Sequence, residues 1–160
     1  MYKILTLLFI SLIFTSCTSK NSAFKYFEKD DIETKGIHYT KKIDILKDNE
    51  IDIIFWATYL NKIDKNISDS KKEVFLISVY FANADSQSMR KNEYKFLLNG
   101  IEAVLFEKVE EDNENFKSLM LKNHWGNYYL VKFDSLEDVN NLRLQLTNQK
   151  SSRAILDFEK

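Results

Sequence analysis

Between Asn141 and Phe158 the chain alternates almost without exception. Leu142, Leu144 and Leu146 are interleaved with Arg143, Gln145 and Thr147, and Ala154, Leu156 and Phe158 again take every second place. A period of two is that of an extended strand with one buried face and one wet face. Such a strand needs neighbours for its backbone hydrogen bonds and a second layer for its apolar face, so it commits the chain to sheets packed on each other. Similar runs, less strictly patterned, predict strands over Ile37–Ile45, Glu50–Leu60, Glu73–Ala82, Tyr94–Leu98, Ile101–Val109, Ser118–Leu121 and Asn127–Asp134, with Asn141–Thr147 and Arg153–Phe158 completing the set. The chain has no proline and only three glycines, Gly36, Gly100 and Gly126, so its turns must be built from Asn, Asp and Ser. Asn99-Gly100, between two apolar runs, is the strongest hairpin signal, because both residues accept positive φ.

Eight or nine short strands with regularly spaced turns predict an antiparallel β-sandwich, with an immunoglobulin-like arrangement ahead of a small up-and-down β-barrel. Phe24–Glu33 predicts a short helix, and Ser135, three residues before Asp138, suits one helical turn between two strands. Loops are expected over Asn61–Lys72, Asn83–Asn92 and Glu110–Lys117. No repeat or long low-complexity tract interrupts the pattern, and a single sandwich domain over 37–160 is expected.

The first residues follow a different logic. Lys3 is the only charge before Cys17, and Ile4 to Phe14 is an apolar run interrupted by Thr6 and Ser11. As a helix it would extend roughly 16 Å against a hydrocarbon core of about 30 Å, too short to span. A cleavable leader is the expectation. Phe14-Thr15-Ser16-Cys17 resembles the lipobox of bacterial lipoproteins, with Phe14 in place of the usual aliphatic residue and small residues before the cut. The resemblance implies removal of residues 1–16, acyl chains of palmitate type on Cys17, and a lipidated tether over 17–36. Two or more chains, at about 0.8 kcal/mol per buried CH₂, give durable membrane attachment. Thr18 rather than Asp follows the cysteine, which by the sorting pattern of such lipoproteins implies the outer membrane. The strand layout is also similar to that of immunoglobulin-like sandwich lipoproteins of Gram-negative envelopes, although no Cys–Trp–Cys framework is present.

Of 23 Lys and Arg against 24 Asp and Glu, only Lys3 leaves with the leader, so the net charge passes from −1 to −2. That balance gives no field to steer nucleic acid or an acidic membrane surface. No nucleophile elbow, phosphate loop or paired-histidine motif occurs, and His38 and His124 stand far apart, so neither an enzyme nor a cofactor is expected. Two strands, however, are apolar on both alternating sets. They are Val74–Phe81 and the Ile51–Trp56 run before it. One set can fill the sandwich, and the other must be covered by the N-terminal segment or a loop, or else offered to a partner. Phe75, Ile77 and Trp125 are therefore candidate partner-binding residues. Trp125, Tyr128 and Tyr129 form an aromatic cluster beside Gly126 in which one of the two tyrosines is expected in the core.

Asp64-Lys65-Asn66-Ile67-Ser68 fits an acidic bacterial N-glycosylation sequon, making Asn66 a candidate acceptor. The same segment does not complete a calcium loop, because Asp69 stands where the turn glycine belongs and no Glu closes it; Glu110–Glu114 is also oxygen-rich, and both are expected as solvated loops. The sequence thus points to a lipid-anchored, non-catalytic interaction module of the cell envelope, meeting a protein or glycan in adhesion or envelope assembly. The alternative is a carrier or chaperone for an apolar ligand held in a barrel or sandwich cavity.

Overall fold

A computed structural model of the chain describes residues 31–120, 126–148 and 153–160. The leader, Cys17, most of the expected Phe24–Glu33 helix, His124 and Trp125 lie outside the described residues. The order of elements is α1 (Asp31–His38), β1 (Thr40–Lys47), β2 (Glu50–Tyr59), β3 (Lys72–Phe81), β4 (Lys95–Leu98), β5 (Ile101–Glu102), β6 (Leu105–Val109), β7 (Asn127–Asp134), β8 (Asn141–Thr147) and β9 (Arg153–Glu159).

The strands form two antiparallel sheets, ordered β1-β2-β3-β7-β6 and β5-β4-β8-β9. Neither sheet closes on itself, so the barrel alternative gives way to a sandwich. Setting β1 aside, β2-β3-β7-β6 over β4-β8-β9 reproduces the A-B-E-D over C-F-G order of immunoglobulin-like domains, with β5 as C′. β1 is an additional edge strand laid beside A. The segment expected as one strand over Ile101–Val109 is two, because the chain changes sheet in its middle: β5 pairs with β4, whereas β6 pairs with β7. The Val104 N–H donates to the Lys132 carbonyl at 2.8 Å as the crossing is made.

Turn chemistry follows the shortage of glycine. Asp48 and Asn49 (φ 53° and 65°) close the β1–β2 hairpin, and Asn99 and Gly100 (φ 49° and 88°) close β4–β5, each with two left-handed residues as the twist of a hairpin requires. Asn99 also ties its turn to β8, accepting the Arg143 N–H at 2.6 Å and donating to the Asn141 carbonyl at 3.1 Å. Asp138 (φ 61°) makes the β7–β8 connection a turn, without the helical turn expected there.

Alternate residues of both sheets fill the space between them. Ile53, Phe55 and Ala57 of β2, Phe75, Ile77 and Val79 of β3, and Leu142, Leu144 and Leu146 of β8 are all buried in one cluster with Ala154, Leu156 and Phe158. Its rings interlock: Phe55 on Phe96 at 5.8 Å, Phe75 on Phe133 at 6.0 Å and Phe75 on Phe158 at 5.3 Å between centroids. These distances fall in the range where aromatic pairs add to plain burial.

A second, smaller cluster forms on the opposite face of the larger sheet, where Val74 and Leu76 of β3 meet Leu60, Ile63, Val109, Phe116, Met120 and Tyr128. Ile32 and Tyr39, at either end of α1, pack against it, as does Leu119. Ile37 therefore belongs to a helix and not to the first strand, and it is 60% exposed. Residues 118–120 form turns rather than the expected strand. Amides of Lys117 and Met120 reach back four residues, to the carbonyls of Asn113 and Phe116, so Phe116, Leu119 and Met120 descend together onto the sheet.

Candidate functional site

The two-residue period of β2, β3 and β7 places a row of side chains across the face that carries the second cluster. The strand register aligns Lys42 of β1, Trp56 of β2, Ser78 of β3, Tyr128 of β7 and Val109 of β6. The neighbouring row runs through Thr40, Thr58, Leu76 and Leu130. A small residue, Ser78, thus stands between two aromatic ones. The floor dips at that point.

Walls rise on both sides of the dip. On one side is α1, with acidic Asp31 and Glu33 in its first turn and Lys35 and His38 in its last, as the helix dipole favours. The Thr40 hydroxyl donates to the Gly36 carbonyl at 2.6 Å and joins the Thr58 hydroxyl at 2.6 Å, fixing the helix end to the sheet. On the other side stand Lys117, Ser118, Leu119 and Met120. Gly36 lets the two walls approach, since a Cβ there would lie 2.5 Å from Leu119 Cδ2. The result is a pocket of about 420 Å³ floored by Trp56, Thr58, Leu76, Ser78 and Tyr128, with Glu33 and Ile37 also on its lining.

Its polarity is graded. Ile37 is exposed, Trp56 is half-buried, and Leu76 and Tyr128 are buried. Ser78 is only 2% exposed, and its Oγ has no hydrogen-bond partner. A buried hydroxyl left in that state costs about 1–3 kcal/mol, so such groups are rare in folded proteins. Lys42 lies over the Trp56 ring, 5.4 Å from its centroid, and holds that ring against the sheet from the far side of the row.

The candidate residues of the sequence fall in several places. Phe75 and Ile77 are 0% exposed and lie between the sheets, so no partner reaches them; they are core residues. The β3 residues that face the pocket are Leu76 and Ser78, one place out of phase with them. Tyr129 faces the inter-sheet core and stacks on Phe106 at 4.7 Å, whereas Tyr128 floors the pocket. Asn66 is exposed in a turn where Asp64 Oδ1 accepts its backbone N–H at 2.7 Å. Cys17 and Trp125 lie outside the described residues. Among the described residues no three or more His, Cys, Asp or Glu side chains gather closely enough to hold a metal ion.

Sequence reasoning missed Ser78, Trp56 and the pocket wall. Two signals were present: a lone hydroxyl in the apolar run Val74–Phe81, and Phe116, Leu119 and Met120 at helical spacing inside a segment assigned to loop and strand. It also missed a buried ionic group at the other end of β3. Glu73, 1% exposed, accepts hydrogen bonds from Tyr59 Oη at 2.6 Å and Ser135 Oγ at 3.2 Å, and pairs with Lys160 Nζ at 2.8 Å. Burial alone would raise its pKa. The hydrogen bonds from Lys160 and Tyr59, the Lys160 charge and the Ser135 hydroxyl together outweigh burial and hold it below the ordinary carboxylate value. The Tyr59 phenol moves the other way, pushed up first by burial and then by its bond to Glu73. Its partners come from β2, the β7–β8 connection and Lys160 after β9, so the group ties that end of the sandwich together.

Comparison with known proteins gave no matching family model, no matching curated protein and no matching solved structure.

Proposed function

We propose that the chain is a lipid-tethered, non-catalytic interaction module of the cell envelope that takes an apolar group of its partner into the pocket between α1, the face of β2, β3 and β7, and residues 117–120. The pocket carries this reading. It is concave, mostly apolar, of the volume that small-molecule and side-chain sites have, and it contains few but converging polar groups. The tether rests on the lipobox-like Phe14-Thr15-Ser16-Cys17 alone. Attachment through Cys17 would leave the domain beside a membrane, where a partner of the envelope meets it at high effective concentration. The alternative, a carrier enclosing its ligand between the sheets, has less support, because interlocked rings occupy that layer.

A photoreactive residue at Ile37, on the pocket lining, tests the reading in whole cells; Leu46, on β1, serves as the control, since both are 60% exposed. A product specific to Ile37 is expected. Identical products from both positions, or none from Ile37, would remove the pocket from the function. Metabolic labelling with palmitate tests the tether separately: label on the native chain that disappears in Cys17→Ala supports it, and an unlabelled native chain refutes it.

A further inference from the structure

We infer that the pocket recognises a planar ring bearing one polar tip, a phenol- or indole-like group, held between Trp56 and Tyr128 with its tip hydrogen-bonded to Ser78 Oγ. This assignment rests on the reading of the pocket as a binding site and names what that site selects. Three observations carry it. First, Trp56 and Tyr128 stand in one register row on strands two apart, with only Ser78 between them. Neighbouring strands lie about 4.8 Å apart, so the two aromatic residues are separated by roughly 10 Å at the backbone. A ring in contact on both faces needs roughly 7–8 Å. A larger residue than serine at the middle place would close that slot.

Second, the Ser78 hydroxyl is buried, lines the pocket and lacks a partner. An aliphatic chain would leave it unpaired in a dry site, and a ring with a donor or acceptor at its far edge satisfies it. Third, the lining is mostly apolar, and two of its hydroxyls, Thr40 and Thr58, are bonded to each other at 2.6 Å. A sugar ring, which must satisfy several hydroxyls at once, fits a mostly apolar lining less well than an aromatic ring with a single polar tip. At the lining, Glu33 and Lys117 carry opposite charges and select no net charge in the ligand.

The test compares two probes of one shape, p-cresol and toluene, which differ only in a hydroxyl. Each is titrated into the full chain bearing Cys17→Ser, so that no lipid competes, while NMR follows the methyl groups of Leu76 and Met120. We expect p-cresol to bind about tenfold more tightly than toluene, and the difference to vanish in Ser78→Ala. Equal affinities for the native pocket, or a preference that survives Ser78→Ala, overturn the assignment of the polar tip while leaving an apolar binding pocket. Failure of both probes to perturb these methyls overturns the assignment altogether, and the crosslinking at Ile37 then decides the broader reading independently. The comparison on the unmodified pocket is decisive even if Ser78→Ala disturbs the fold.

Discussion

Replacing Lys160 with Met gives the sharpest test of how the sandwich end is held. Glu73 sits 1% exposed at the start of β3 and Lys160 Nζ is 2.8 Å from its Oε1, while the lysine also donates to the Leu136 carbonyl at 2.6 Å. Removing one partner of a fully buried ion pair costs about 3–5 kcal/mol, because the other charge is left uncompensated. Two features reduce that figure here. The Lys160 side chain is 31% exposed, and Tyr59 and Ser135 continue to bond the carboxylate. About 2–3 kcal/mol remains, a fall in Tm of roughly 6–15 °C for a domain of this size.

The pH dependence fixes the cause. In the native chain the Glu73 pKa lies below its ordinary value, so its contribution is complete at neutral pH and is lost as pH falls through the folded-state pKa. In Lys160→Met the ammonium is gone, burial dominates, and the carboxyl pKa rises. The variant then recovers stability relative to the native chain as Glu73 protonates, so the gap measured by denaturant unfolding narrows from pH 7 towards pH 4. A double-mutant cycle with Glu73→Gln isolates the pair, and a coupling of about 1 kcal/mol or more is expected. Coupling below about 0.3 kcal/mol, or a gap that does not change with pH, would refute the assignment of that stability to the Glu73–Lys160 pair.

Three other substitutions have expected outcomes. Ser78→Ala, with no ligand present, removes an unpaired buried hydroxyl and raises stability by about 1 kcal/mol, measured by urea unfolding; a loss of stability would mean the hydroxyl is already satisfied. Gly100→Ala meets nothing within 4 Å, so its whole effect is the strain of a side chain at φ 88°, about 1–2 kcal/mol of destabilisation with an unchanged m-value. Phe75→Ala, at 0% exposure between the sheets, costs about 3–5 kcal/mol by thermal melt; a folded, equally stable variant that had lost a partner would contradict its place in the core.

The sandwich was legible because its periodicity survives in single strands. Leu142 to Leu146 alternate on β8, and the buried pattern of that strand follows the letters residue by residue. Turn composition was equally readable: among the described residues, four of the five non-glycine residues at positive φ are Asn or Asp. β3 resisted for a physical reason. With Lys72 and Glu73 preceding eight residues that are apolar on both faces, local pattern gives no phase, and only the partner strands decide that Phe75 and Ile77 point inward and Leu76 and Ser78 outward. The pocket lay further out of reach, since it joins α1 to residues 117–120 across more than eighty places in sequence. Glu73 was hidden likewise, because its partners are 14, 62 and 87 residues away and an isolated glutamate at a strand start reads as solvated.

Why the second apolar face persists is the remaining physical question. An immunoglobulin-like sandwich needs one buried face per sheet, and the outer face of A-B-E-D is ordinarily polar. Here that face carries Val74, Leu76 and Tyr128, and α1 with Phe116, Leu119 and Met120 covers them. If cover were the only requirement, a continuous lid would exclude water from the whole row, and an apolar residue at position 78 would avoid the unpaired hydroxyl. Instead a pocket remains under that cover, and Ser78, 2% exposed with its Oγ unpartnered, lies on its lining between two aromatic residues of its register row, with Gly36 packed close against Leu119. On the reading proposed above, an apolar face roofed by α1 and residues 116–120, with an unpaired hydroxyl on the lining of the pocket beneath, is arranged around an occupant. The stability gained from Ser78→Ala and the selectivity lost in the same variant are therefore two readings of one arrangement. They must appear together for the pocket to be a site rather than a packing fault.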